Sequence, residues 1–139
     1  MKFVIDPAMP AEVRRMSLPL VKGHAQIAPS WLKTMTVTWD PRDGECIAYI
    51  CVRNEYRDAC ITICPHFIGC SADERVATLR HEFAHLYTTP IKTVAVDSLK
   101  NIVGADYPTP GSRVAECEID RVHEAMTEDL ATLFEKLGA

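Results

Sequence analysis

The residues best placed to do chemistry are His81, Glu82 and His85, which stand in the order His-Glu-x-x-His. On a helix, positions i and i+4 lie nearly above one another on one face. Two imidazoles at that spacing can hold a single zinc ion from one rigid element. The intervening Glu is then close enough to act on a metal-bound water.

A catalytic zinc needs a third protein ligand and an open position. The last part of the chain supplies the acids: Glu116, Glu118, Asp120, Glu124, Glu128 and Asp129. Ser112 reads as the cap of a long helix running to about Leu137. Its apolar residues, Ala115, Ile119, Val122, Met126, Leu130, Leu133 and Leu137, recur at steps of three and four. With that stripe taken as the buried face, Glu116, Asp120, His123 and Thr127 run along one shoulder. Glu118 and Asp129 fall on the other, and Glu124 and Glu128 point mostly outward. Glu116 is therefore the expected third ligand. Asp120, one turn on, would accept a hydrogen bond from the second nitrogen of a ligand histidine. Glu118 is the alternative, should the helix sit differently against its partner. His123 reads as structural or exposed, and Tyr107 as part of a loop that could cover the cleft.

The elements that must position these groups follow from periodicity. Ser71 with Glu74 is a capping-box signature, opening a helix expected over about 72 to 87 or 88 and stopped by Pro90. Val76, Leu79, Phe83, Leu86 and Tyr87 share one face of it, and His81 and His85 lie opposite, with Glu82 at the edge. Three strands precede it. Residues 34–39 alternate Thr with Met, Val and Trp; residues 46–53 are apolar on both faces, as a central strand would be; residues 59–64 end at Pro65. The turn-rich stretches 40–44 and 54–58 between them favour an antiparallel meander. Strand 59–64, directly before the metal helix, is the one expected to pair with an extended substrate. Residues 1–9 read as an irregular lead-in, 10–16 as a helix that Pro19 should break or restart, and 93–103 as a short helix or loose excursion closed by Gly104.

Composition bounds the rest. At 139 residues, 47% hydrophobic and 24% charged, the chain fits a single domain over 1–139 with one core. A net charge of −4 with scattered Lys and Arg argues against nucleic acid as a partner. No apolar run approaches the roughly 20 residues of a membrane span, nor the apolar region of a secretory signal. A cytoplasmic location is the expectation, and with it reduced thiols for the six cysteines. Cys60, Cys64, His66 and Cys70 lack the paired spacing of common zinc knuckles and read as buried or idle.

With His81-Glu82-x-x-His85 followed by Glu116-x-x-x-Asp120, the chain resembles the gluzincin metallopeptidases, whose third zinc ligand is a glutamate. The order helix, short sheet, metal helix, glutamate helix also looks like the small zincin core. Small bacterial and phage-encoded proteins of metallopeptidase type are similar to it. The resemblance implies an α+β zincin-like fold, Zn2+ on His81, His85 and Glu116, Glu82 as general base, and Asp120 behind the ligands. It implies hydrolysis of a peptide or related amide bond in a peptide or protein substrate. The chain departs from the large gluzincins in carrying Ala115 before the ligand Glu and in lacking their C-terminal helical domain. Two other readings stay open: a non-catalytic module on the same fold that captures a partner peptide, and a metal hydrolase acting on a non-peptide substrate.

Overall fold

In the computed structural model, which describes residues 1–42 and 44–138, the chain forms an α+β fold. Four strands make one mixed sheet: β1 (Lys2–Ile5), β2 (Thr34–Trp39), β3 (Ala48–Arg53) and β4 (Asp58–Ile63). The helices are α1 (Ala11–His24), the single turn α2 (His66–Gly69), α3 (Ala72–Val103) and α4 (Pro110–Lys136). Among the described residues, no helix is long and apolar enough to cross a membrane.

The strand order is β1-β2-β4-β3. β1 runs parallel to β2, β2 parallel to β4, and β3 antiparallel to β4. The expected meander is therefore not formed. β4 crosses to the far side of β2, and β3 folds back from it through a short 3-10 turn at Asn54–Tyr56. Two expectations change places. The 46–53 stretch is an edge strand, and 59–64 lies inside the sheet between β2 and β3. Residues 2–5, read as lead-in, form the opposite edge. Asp43 of the expected 40–44 turn lies outside the described residues.

One face of the sheet is apolar and covered. Met35, Val37, Ala59, Ile61 and Ile63 meet Val13 and Val21 of α1 and Leu79, Phe83 and Leu86 of α3, all fully buried. The other face carries Thr36, Thr38, Cys60, Thr62, Tyr49 and Cys51, and Thr38 Oγ1 lies 2.9 Å from Thr62 Oγ1. The alternation read in 34–39 thus sorts correctly into a core side and an open side.

Two prolines expected to end helices lie inside them. α1 continues through Pro19 to His24, and Ser17 is buried within it, its hydroxyl 3.9 Å from Met9 Sδ. α3 continues through Pro90 to Val103, so residues 93–103 belong to the same helix as His81 and His85. A proline in a helix forfeits one backbone hydrogen bond. Here the second half of α3 is held by packing on α4 and by the Lys92–Asp120 ion pair at 2.8 Å. Gly104 then stops the helix, at a φ of 66° that favours glycine. α4 is capped by Thr109 in place of Ser112, with Ser112 returning the bond to the Thr109 amide at 2.8 Å and Pro110 opening the first turn.

Candidate metal centre

The first half of α3 is built as its sequence requires. Ser71 Oγ accepts from Glu74 N at 3.2 Å, and Glu74 Oε2 accepts from Ser71 N at 2.7 Å. Leu79, Phe83 and Leu86 anchor the helix in the core; Val76 is half-buried, and Tyr87 lies farther out, its hydroxyl donating to Ile27 O at 2.6 Å. His81 and His85 emerge on the other side, their rings edge to face at 4.8 Å.

α4 lies across them, rotated from the expected orientation. Its buried line is Ser112, His123, Thr127, Ala131 and Phe134, whereas Val122, Met126, Leu133 and Leu137 are exposed. Glu124 and Glu128, each one residue beyond the buried His123 and Thr127, therefore face α3. Glu124 Oε2 lies 3.8 Å from His81 Nε2 and 3.9 Å from His85 Nε2. Glu128 Oε1 lies 3.1 Å from His81 Nδ1.

This arrangement brings only part of the expected ligand set together. His81 and His85 come together as read, but the carboxylate that joins them is that of Glu124. Glu116 is instead tied to the Tyr107 hydroxyl, which donates to its Oε1 and is itself pushed up by that carboxylate. Asp120 pairs with Lys92 rather than with a histidine. Glu118 pairs with Arg121 at 2.5 Å. Glu124 and Glu128 have the same four-residue spacing as Glu116 and Asp120, two turns further along the helix.

Hydrogen bonds fix which nitrogens face the gap. His81 Nδ1 lies 3.1 Å from Glu128 Oε1, and Nε2 is the nitrogen turned toward Glu124 Oε2. The Thr127 hydroxyl donates to His123 O at 2.9 Å, so its oxygen can only accept from its other neighbours. Those are the Thr88 hydroxyl at 2.8 Å and His85 Nδ1 at 3.3 Å. His85 Nε2 is thereby free. Thr88 in turn accepts from His123 Nε2 at 3.2 Å, and the His123 ring stacks on His85 at 4.9 Å. The buried polar line of α4 thus acts as the outer support of one ligand.

Electrostatics agree with this assignment. His85 is lowered to about 4, by burial first and then by the charge of His81, so at neutral pH it is an unprotonated donor. Donor atoms of His81, His85 and Glu124 all lie within 4.8 Å of one another, and these three residues could hold a metal ion. A tetrahedral ion bound at about 2.1 Å sets its donors about 3.4 Å apart, so only a small closure is required. Among the described residues no other group of His, Cys, Asp and Glu converges in this way.

Glu82 is not one of the three. Its side chain is buried, and Oε2 accepts from Ile50 N at 2.8 Å. Burial raises its carboxyl to about 7, against the opposing Ile50 bond and with a further upward push from Glu124. The Ile50 amide is available because the β3–β4 ladder alternates. Cys64 N bonds Ile47 O at 3.0 Å, so 47, 49, 51 and 53 bond across to β4, and Ile50 and Val52 turn their backbone groups outward. β3, Glu82, His85 and Glu124 together border a cleft of about 620 Å³, completed by the second half of α3 at Thr93 and Lys100.

Glu124 and the cleft strand were the two features missed. For the strand the sequence carries no signal, because 46–53 is apolar on both faces. For Glu124 the signal was His123 with Thr127, a polar pair at helical spacing beside a glutamate. Comparison with protein-family models, with curated proteins and with solved structures finds no match.

Proposed function

We propose that the protein is a zinc-dependent metallopeptidase of minimal gluzincin type, hydrolysing a peptide or related amide bond. The observation that carries this reading is the convergence of His81 Nε2, His85 Nε2 and Glu124 Oε2, with a buried carboxylate, Glu82, in the cleft that His85 and Glu124 border. Zinc bound there would supply Lewis acidity, polarising a carbonyl and lowering the pKa of water. Glu82 is the base. One of its oxygens is held by the Ile50 amide, leaving the other to take a proton from water and return it to the leaving nitrogen. Burial raises this carboxyl, which favours its holding the proton between the two transfers. An extended peptide would lie along β3, meeting the outward-facing Ile50 carbonyl and Val52 backbone groups.

The test joins metal content to turnover. Purified protein is expected to hold one zinc, lost in His81→Ala, and to cleave an unfolded substrate such as casein. Glu82→Gln should keep the metal and lose about 10²–10⁴-fold in rate. A metal-free native protein, or a Glu82→Gln variant cleaving at the native rate, would sink the proposal. The open edge of β3 favours one second reading, a non-catalytic module that captures a partner's extended segment. A metal-loaded protein that binds such segments without cleaving them would support it.

A further inference from the structure

Cys51 and Cys60 stand directly opposite one another on β3 and β4. Both are thiols; Cys51 is exposed and Cys60 half-buried. They share the open face of the sheet, away from the core, where Cys60 Sγ also lies 3.5 Å from Thr38 Oγ1. The ladder alternation makes 51 and 60 a bonded pair, in which α-carbons sit about 5.5 Å apart. A disulfide spans roughly 4.4–6.8 Å between α-carbons. The α-carbon span suits a disulfide, and the β-carbons, roughly 4.5–5.5 Å apart across such a pair, must close to about 3.5–4.5 Å by a small movement of β3.

We propose that Cys51 and Cys60 are a redox-active pair that closes a cross-strand disulfide on exposure to a low-molecular-weight disulfide or a hydroperoxide. Two observations support it: strand register and graded exposure.

With glutathione disulfide as oxidant, the Cys51 thiolate attacks one glutathione sulfur. A Cys51–glutathione bond forms and one glutathione thiolate leaves. The Cys60 thiolate then attacks Cys51 Sγ, forming the Cys51–Cys60 bond and expelling the second glutathione thiolate. Two protein thiols are oxidised, one glutathione disulfide is reduced to two thiols, and the cysteine protons pass to the departing thiolates. The bridge would fasten β3, paired on one side only, to its single neighbour.

The experiment uses a Cys117→Ser background, which removes the other exposed thiol and leaves five of the six cysteines. After incubation with glutathione disulfide and alkylation of the remaining thiols, three alkylatable thiols are expected, with a 51–60 link located by fragmentation mass spectrometry. Adding Cys51→Ser or Cys60→Ser should abolish the link, and dithiothreitol should reverse it. The proposal is overturned if five thiols remain, if the link joins another pair, or if Cys51 persists as a glutathione adduct beside an alkylatable Cys60.

Discussion

The two helices that meet at the candidate metal centre bury opposite kinds of side chain. α3 sets Leu79, Phe83 and Leu86 into the core and turns its polar stripe outward to the cleft. α4 buries His123 and Thr127 and leaves Val122, Met126 and Leu133 exposed. The first follows the ordinary logic of amphipathic helices. The second is oriented by a hydrogen-bonded network whose unmade bonds would be costly in the interior. Where such a network is complete, the most apolar face of a helix need not be the face it buries.

The contrast can be broken experimentally. The largest effect should come from Phe83→Ala, which empties a fully buried site and should cost about 3–5 kcal/mol in denaturant unfolding. A loss below 1 kcal/mol would mean that α3 is not anchored as described. Next, Glu124→Ala and Glu116→Ala separate the two orientations of α4. The first should weaken metal binding at least about 100-fold by calorimetric titration, and the second should leave it within about twofold. The reverse result would restore the orientation read from the apolar stripe.

A third effect is on pH dependence. In chelator-treated protein, Glu82 is raised from 4.5 to about 7 by burial. Its contribution is fully present below pH 4.5 and is lost as pH rises through 7, a change of about 3 kcal/mol. Glu82→Gln should abolish that part of the stability profile. His85, lowered to about 4, acts in the opposite sense: its contribution is present above 6.5 and is lost as pH falls through 4. A wild-type profile superimposable on that of Glu82→Gln from pH 4.5 to 7 would contradict the burial of Glu82. The smallest effect belongs to Met126→Ala, expected within about 0.5 kcal/mol because that side chain is 40% exposed. A cost like that of Phe83→Ala would place Met126 in a core.

What was legible in the sequence follows the same division. The Ser71/Glu74 cap, the placement of His81 and His85 opposite Leu79 and Phe83, and the alternation of 34–39 are local patterns, and each is present. The strand order is not local. Nothing in residues 40–47 says that β4, rather than β3, pairs with β2, so the cleft strand was assigned one strand too late. Pro90 marks a missing hydrogen bond, but whether a helix survives it depends on packing against α4, which is contributed by residues further along the chain. Glu124 was hidden because a helical wheel ranks faces by hydrophobicity, while His123 and Thr127 are buried through bonds to Thr88 and His85.

The distribution of the donors over two helices has a thermodynamic consequence. His85 and Glu124 are far apart in sequence and meet only when α3 and α4 have docked, so an unfolded chain offers no comparable site. An ion held between them would act as a reversible staple on the native state alone. At a free concentration 100 times its dissociation constant it would add about 2.7 kcal/mol to unfolding, growing with the logarithm of concentration. The melting temperature of the protein would then serve as a gauge of metal supply.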